Sequence, residues 1–300
     1  MKKILIVDAT NYLFRAFYAH GNLTSDSGEP TGAIYGLMKM LQTLRKHHPT
    51  DYFVCVMDAH GHNFRSTIYE EYKKNRPPMQ SEIRNQIEPA KEFINALGWR
   101  LMCEIGVEAD DVIGSLTKQA ESEGLGVLIA TGDKDMMQLV SDNVKVITSA
   151  TEKPKDANGV FEKFGVKPNQ ILEYLMLVGD SSDNIPGVPK IGAKTAAKLL
   201  TEYGNIDKIM EQAFAQEGKP KKDCKMTENM AKNLREFRTS NNENINRKLI
   251  TLKDDLFLPF GPKECVQWTR DEDYLKTLCH RYTIRNLLKD DDVRGRDNEF

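Results

Sequence analysis

The sequence predicts an α/β fold, in which a mostly parallel twisted sheet is flanked by helices and followed by a helical C-terminal region. Two observations support this prediction. Short apolar runs alternate with helix-like patterns over the first half of the chain, as they do in doubly wound sheets. From about Pro168 onward the pattern becomes all-helical. We therefore expect a sheet-based region at residues 1–165 and a helical region at residues 166–289.

Three of the predicted strands are each followed by an aspartate. Parallel strands bring their carboxyl ends to one edge of a sheet, which is where open α/β sheets bind ligands. One such alignment is expected by chance, because aspartate often starts turns, but three together are not. The runs and their acids are 4–7 with Asp8, 52–57 with Asp58, and 127–130 with Asp133 and Asp135.

A further acidic stretch, G-V-E-A-D-D at 106–111, begins a predicted helix whose apolar residues recur at helical spacing. It adds Glu108, Asp110 and Asp111 to the candidate acids. Acids in a first turn also suit the positive end of the helix dipole, so capping is the simpler explanation for Asp110 or Asp111 alone. Capping does not account for the acids at the strand ends.

So many carboxylates at one edge require countercharge. Like charges raise each other's pKa, and burying them unpaired is costly. Oxygen ligands without cysteine or histidine favour hard ions, so the pattern predicts Mg²⁺ or Mn²⁺. Two ions about 3.5–4 Å apart would clamp both oxygens of a phosphodiester displacement. The sequence therefore predicts metal-dependent phosphodiester chemistry.

The other elements of the first region complete the alternation. After Asp8 we expect a helix that directs Arg15 back toward the acids. The remaining predictions are helices around 34–41, 83–97 and 136–140, and strands at 100–103 and 144–147.

Residues 59–80 are rich in basic and aromatic side chains. This combination suits single-stranded nucleic acid, because charge follows the phosphates and rings stack on bases. A solvated surface helix with anchoring tyrosines is the alternative. The position of the segment, directly after the strand that ends at Asp58, favours the first interpretation. A helix here would place on one face Arg65, Tyr69, Tyr72 and Arg76, with Lys73 alongside.

The helical region contains a second acidic loop, G-D-S-S-D-N at 179–184, which adds Asp180 and Asp183. A glycine-bearing turn and a helix start follow, and such a turn presents backbone N–H groups to a phosphate. An ordinary connector between helices is the alternative, although it accounts less well for lysines at a spacing of four. The residues expected to contact phosphates are Gly187, Lys190, Gly192, Lys194, Thr195 and Lys198.

Three further predictions concern the end of the chain. We expect helices at 169–178, 226–238 and 273–288, a basic segment at 217–247 that includes Lys219, Lys221 and Lys222, and a disordered charged tail at 290–300.

Composition restricts the class of protein. The chain has 300 residues, of which 40% are hydrophobic and 29% charged, and it has no apolar run long enough to cross a membrane. Its five scattered cysteines form no C-x-x-C pair, which favours reduced thiols in a cytoplasmic protein. The net charge is −2, but the chain is basic once the candidate metal-binding acids are set aside.

Together these motifs resemble the 5′-nuclease domain of bacterial DNA polymerase I, within the flap endonuclease family. The resemblance covers about residues 3–289. Ala9 stands where relatives usually have glycine, a small change that leaves Asp8 in place. The motifs are V-D at 7–8 with Arg15, F-R-x-x-x-Y-x-x-Y-K-x-x-R at 64–76, G-V-E-A-D-D at 106–111, T-G-D-K-D at 131–135 and G-D-S-S-D-N-I-P-G-V at 179–188.

The resemblance implies a PIN-like 5′-nuclease fold with a helical arch at about 60–80, to which Phe64 belongs. It also implies a helix–three-turn–helix at about 185–203 that grips duplex DNA, often with a bound K⁺. Lys73, Arg15 and Arg76 would hold the scissile phosphate. The implied metal ligands are Asp8, Asp58, Glu108, Asp110, Asp111, Asp133, Asp135, Asp180 and Asp183.

The implied function is a 5′→3′ exonuclease and flap endonuclease of primer removal and DNA repair. Its partners would be branched, 5′-flapped, nicked or RNA-primed DNA and a polymerase, and the protein would act as a monomer. The alternatives are a structure-specific DNA-binding protein without catalysis and a PIN-type ribonuclease. A D-x-D-x-T phosphatase lacks its second acid after Asp8, and a topoisomerase-type site would leave Asp58 unused.

Overall fold

The computed structural model describes residues 1–218 and 226–284. Some of the predictions lie outside these residues. They are the basic cluster of Lys219, Lys221 and Lys222, the end of the last predicted helix at 285–288, and the charged tail at 290–300.

A five-stranded parallel sheet forms the centre of the molecule, which confirms the predicted fold class. The strand order is β3-β2-β1-β4-β5, and every neighbouring pair is parallel. Strands β2 and β3 lie on one side of β1, and β4 and β5 lie on the other. The strand order therefore reverses next to β1, which places the topological switch point at its carboxyl end. The strands are β1 (Lys3–Asp8), β2 (Tyr52–Val56), β3 (Arg100–Met102), β4 (Gly126–Ala130) and β5 (Val144–Ile147).

Helices cover both faces of this sheet. Alternate residues of β1 belong to two separate apolar cores, with Ile4 and Ile6 in one and Leu5 and Val7 in the other. Burial on both faces explains why the strands are continuous apolar runs. The helices of the first region are α1 (Ala9–His20), α2 (Gly32–His47), α3 (Phe64–Ile68), α4 (Ser81–Ala96), α5 (Ala109–Ser122) and α6 (Ala157–Phe164).

The first five C-terminal helices extend the core that lies on the α5 face of the sheet, whereas the last packs into the other core through Leu275, Leu278 and Cys279. Between the first two of these helices stands a short antiparallel hairpin, β6 (Gly179–Asp180) with β7 (Ile185–Pro186). None of the helices in the described part of the chain is long and apolar enough to span a membrane. The helices are α7 (Ile171–Val178), α8 (Ala193–Tyr203), α9 (Ile206–Ala215), α10 (Glu228–Thr239), α11 (Asn242–Ile250) and α12 (Glu272–Arg281).

The segment predicted as one helix over 64–76 has a different structure. Helix α3 ends at Ile68, Tyr69 is extended, and a series of turns follows. Lys73 has a φ of 57°, which no α-helix allows. Its backbone N–H donates to the carbonyl of Asp183, and Asn184 donates to the carbonyl of Glu71. Hydrogen bonds to the 181–184 loop thus replace those of a continuing helix.

Candidate metal centre and nucleic-acid surface

The carboxyl edge of the sheet carries a cleft lined by acids. Four of them, Asp8, Asp58, Asp110 and Asp133, are called the sheet-edge group below. Asp8 ends β1, Asp58 and Asp133 come after β2 and β4, and Asp110 lies in the first turn of α5; all four line the same cleft. None of them makes an ion pair with any described residue. The other residues that line the cleft are Thr10, Asn11, Phe14, Lys73, Arg76 and Glu108.

Asp8 is the most constrained member of the sheet-edge group. It is buried, and its two oxygens accept hydrogen bonds from the backbone N–H of Asn11 (2.9 Å) and the hydroxyl of Thr131 (2.8 Å). Burial raises the pKa of Asp8 to about 7, and the nearby charges of Asp58 and Asp133 add to the rise. The carboxylate is thus fixed in place before any ion binds.

The other acids of this cleft crowd one another in the same way. Burial raises the pKa of Asp110 well above its ordinary value, and Asp133 and Asp8 raise it further. The pKa of Asp133 is also raised, first by burial and then by Asp183 and Asp180. Asp58 is exposed, and one of its oxygens accepts a hydrogen bond from the backbone of Ala109 (2.9 Å) at the start of α5. A divalent cation would supply countercharge to these four acids, which make no ion pair with a described residue.

A second acidic cluster, the loop group, consists of Asp135, Asp180 and Asp183. Each offers a carboxylate oxygen within 4.8 Å of the others. Asp135 Oδ1 is buried without a hydrogen-bond partner, and burial followed by the charge of Asp133 raises the pKa of Asp135 well above its ordinary value. A buried oxygen without a partner at a meeting point of three carboxylates fits a metal ligand.

Unlike the sheet-edge group, the loop group already has cationic partners. Lys134 Nζ lies 3.1 Å from Asp180 Oδ2, while Ser182 donates to Asp180 Oδ1 through its N–H and its hydroxyl. Burial alone would raise the pKa of Asp180, but Ser182 and Lys134 lower it below the usual value. Asp183 pairs with Arg76.

Glu108 connects the two groups. It pairs with Lys73 and accepts a hydrogen bond from Asn63 (2.8 Å). The hydroxyl of Tyr72 donates to Glu108 (3.0 Å) and lies 3.1 Å from Asp183 Oδ2. The predicted DNA contact of Tyr72 is therefore corrected: its ring is buried and its hydroxyl bridges two carboxylates, so it cannot stack on a base.

Arg65 also differs from the prediction. Its side chain is buried against Asp111, with Nη1–Oδ2 at 2.6 Å and Nη2–Oδ1 at 2.8 Å. A buried guanidinium has no access to DNA, and an acid whose two oxygens are held this way does not open onto the cleft. The predicted DNA contact of Arg65 and the predicted metal bond of Asp111 are both incompatible with this arrangement.

Arg15 does not point into the cleft as predicted. Its guanidinium packs on the ring of Tyr12, 4.8 Å from the centroid, and donates to the carbonyl of Thr148 beyond the end of β5. Phe64 and Tyr69 are half-buried, and Lys253 Nζ lies 4.2 Å from the centroid of Phe64. The stacking surface predicted over 64–76 is therefore small.

The residues predicted to contact phosphates lie at the turn before α8 and on its first turns. Gly187 is packed so tightly that a Cβ there would lie 2.3 Å from backbone atoms of Val178. Exposed at this turn or on the first turns of α8 are Lys190, Gly192, Lys194 and Lys198, while Thr195 is half-buried. The three lysines make no ion pair with any acid in the described ranges, which leaves their charge free for a polyanion.

Several residues that hold the acids were not predicted from the sequence. Thr131 and Asn11 fix the switch point, because Thr131 donates to Asp8 and Asn11 Oδ1 accepts from the N–H of Gly132 (3.0 Å). Lys134 and Asn63 support Asp180 and Glu108. The signal for two of them was present, since Thr131 and Lys134 belong to the T-G-D-K-D motif.

Known proteins are similar to this chain in sequence and in architecture. Residues 3–165 match the family model for the 5′-3′ exonuclease N-terminal resolvase-like domain, and residues 166–273 match that for its C-terminal SAM fold. The 5′-3′ exonuclease of Aquifex aeolicus is 35% identical over 294 residues, which are 97% of this chain and 96% of that protein. DNA polymerase I of Pseudomonas aeruginosa is 46% identical over 216 residues, or 69% of this chain and only 24% of the polymerase.

Among solved structures, a bacteriophage T5 D15 flap endonuclease complex with DNA and metal ions superposes with a TM-score of 0.66 at 22% identity. The match covers 94% of this chain and all of that one. This likeness shows the fold. Taken with the two family models and the relatives, it leads to one conclusion: the chain is a member of the 5′-3′ exonuclease family.

Proposed function

We propose that this 5′-3′ exonuclease is a structure-specific nuclease that hydrolyses DNA phosphodiesters at 5′ ends and 5′ flaps, in primer removal and repair. One observation carries the proposal. The sheet-edge group crowds four carboxylates, none of which makes an ion pair with a described residue, into one cleft next to a loop group that contains an unpartnered buried oxygen. Such an arrangement suits a pair of hard divalent ions.

The chain's donor set favours Mg²⁺, with Mn²⁺ as a substitute, because every candidate ligand is a carboxylate. Asp8, Asp58, Asp110 and Glu108 would hold one ion, and the loop group with Asp133 would hold the other. When bound, such ions activate water and stabilise the leaving oxygen. A K⁺ at the turn before α8 belongs to the same proposal, since backbone carbonyls of a turn suit such an ion.

The chain's own cations would hold the substrate. Lys73 and Arg76 line the cleft and at present pair with Glu108 and Asp183. With those carboxylates engaged by ions, both side chains would be free to contact the scissile phosphate, where their positive charge would stabilise the developing negative charge. Arg15 is bonded elsewhere and has no such role in this arrangement.

The region beyond residue 165 would bind the duplex part of the substrate. The supporting observation is the unpaired charge of Lys190, Lys194 and Lys198 around a glycine-bearing helix start. We propose branched, nicked and 5′-flapped DNA, including RNA-primed strands, as substrates of a monomer in the cytoplasm. A polymerase partner is part of this proposal, because the relative from Pseudomonas aeruginosa is a polymerase.

The test is a 5′-flap substrate labelled at either end, with Mg²⁺ or with EDTA. Mg²⁺ or Mn²⁺ should restore cleavage that EDTA abolishes, and the two labels separate exonuclease from flap products. Full cleavage in EDTA would contradict the two-metal proposal. Binding without cleavage under every metal condition would favour a DNA-binding protein, and cleavage of RNA alone would favour a PIN-type ribonuclease.

A further inference from the structure

One ion pair lies just outside the cleft and belongs to neither acidic group. Arg65 and Asp111 are 1% and 0% exposed, and they meet through two parallel hydrogen bonds of 2.6 and 2.8 Å. Neither residue lines the cleft. Bidentate pairing fixes direction as well as distance, which a single hydrogen bond does not.

The remaining hydrogen bonds of this pair join three separate parts of the chain. Asp111 Oδ2 accepts from the backbone N–H of Glu108 (3.2 Å), and Oδ1 accepts from that of Lys253 (2.9 Å). Arg65 Nε donates to the carbonyl of Leu249 (2.7 Å) near the end of α11. The pair therefore ties α3 and the start of α5 to the C-terminal helices.

The pair also controls a neighbouring charge. Arg65 Nη1 lies 3.3 Å from Glu108 Oε2, so the guanidinium touches a carboxylate that belongs to the cleft. Asp111 accepts a hydrogen bond from each of the two terminal guanidinium nitrogens and keeps Arg65 from pairing fully with Glu108. Without Asp111, a buried arginine would take Glu108 as its partner, because an uncompensated buried charge is costly.

We propose that Arg65 and Asp111 are positioning residues of the metal centre. Asp111 neutralises Arg65 and holds the backbone of Glu108, so that Glu108 and Asp110 face the cleft. This inference rests on the proposed function, in which those two acids bind a metal ion. It assigns Asp111 a role different from that of a metal ligand.

The test measures Mn²⁺ affinity of the full-length protein by electron paramagnetic resonance, without DNA and below the melting temperature of each variant. Asp111→Asn should weaken binding by about tenfold or more, because Arg65 moves onto Glu108. Arg65→Gln should weaken it similarly, since it leaves Asp111 as an uncompensated buried charge. The double variant should recover affinity to within a few-fold of the parent, because no unpaired buried charge remains.

The alternatives give different results. If Asp111 is itself a metal ligand, Arg65→Gln keeps or improves affinity and the double variant binds as weakly as Asp111→Asn. If the pair is only structural, every variant lowers the melting temperature and leaves Mn²⁺ affinity unchanged. Either result would overturn the proposal.

Two controls complete the experiment. Arg238 makes a comparable bidentate pair with Glu243, at 2.7 and 2.9 Å, far along the chain, and Arg238→Gln should not affect Mn²⁺ affinity. Asp110→Asn tests the proposed function itself, because unchanged affinity there would remove the metal centre rather than the positioning role. Should a single variant fail to fold, Arg65→Lys, which keeps the charge but not the fork, should bind Mn²⁺ more weakly than the parent.

Discussion

The sheet-edge group and the loop group differ in where their countercharge lies. The acids of the sheet-edge group sit at strand ends or a helix start, make no described ion pair, and include carboxyls with raised pKa values. In the loop group, Asp180 and Asp183 are already paired with Lys134 and Arg76. One group therefore depends on an added cation, whereas the other must exchange a protein cation for it.

Because of this difference, we expect the two groups to bind divalent ions with different affinities. Binding an ion at the sheet-edge group removes repulsion between its own four carboxylates, none of which makes an ion pair with a described residue, although the neighbouring Glu108 would give up Lys73. Binding at the loop group releases Lys134 or Arg76, and that exchange offsets part of the gain. We expect the first ion to bind more tightly than the second, and the released Arg76 to become available to the substrate.

The largest expected effect separates the groups by cleavage rate. Asp8→Asn should reduce single-turnover flap cleavage by roughly a thousandfold or more, because that carboxylate is fixed at a strand end and no neighbour can replace it. Asp183→Asn should reduce the same cleavage rate by roughly a hundredfold, since its loop can adjust. Duplex binding measured in Ca²⁺ should survive both changes. A folded Asp8→Asn variant that cleaves at the parental rate would show that the site is misassigned.

The second prediction concerns stability without metal. The pKa of Asp8 is raised to about 7, so its protonated form is favoured in the folded protein. The contribution of Asp8 to the free energy of unfolding is fully present below the pKa of the unfolded state, and it is lost as the pH rises through 7. In EDTA, the melting temperature of Asp8→Asn minus that of the parent should therefore be several degrees larger at pH 8 than at pH 4.

Thermal unfolding at both pH values measures this difference, and Asp142→Asn, at an exposed position, is the control. The melting-temperature gap between Asp8→Asn and the parent should widen with pH, while that of the control should not. An equal gap at the two pH values would mean that the sheet-edge group is not strained by its own charge.

A smaller effect tests the exchange of cations in the loop group. Lys134→Gln removes the countercharge of Asp180, so the weaker of two Mn²⁺ binding steps should tighten by about threefold, a modest change because Lys134 is partly exposed. Calorimetric titration resolves the two steps. Lys118→Gln breaks a comparable pair with Asp254 (2.7 Å) on another surface and should leave both steps unchanged. Weaker binding in Lys134→Gln would contradict the exchange.

Features that depend on local pattern could be predicted from the sequence, whereas features that depend on contacts between distant residues could not. The sheet-edge group was predictable because each acid directly follows an apolar run or starts a helix, so local pattern and parallel topology suffice. The structure of 64–76 was not, since its hydrogen bonds reach the 181–184 loop more than a hundred residues away. Arg65 and Asp111 are 46 residues apart, and no local pattern distinguishes a buried pair from a DNA contact and a metal ligand.

The smallest expected effect separates metal binding by the loop group from DNA binding by the turn that follows it. Lys190, Lys194 and Lys198 are exposed and unpaired with any described acid, so each can neutralise a phosphate. Replacing any one of them with alanine should weaken duplex binding a few-fold, whatever the sequence. It should also reduce the slope of log K against log salt by about one unit, because one fewer counterion is released. Mn²⁺ affinity should not change, since none of these lysines touches a carboxylate of either group.

Lys276→Ala on α12, whose side chain pairs with Asp273, is the matched control and should leave the slope as it is. An unchanged slope in all three variants would make the turn before α8 an ordinary connector between helices and confine DNA binding to the cleft.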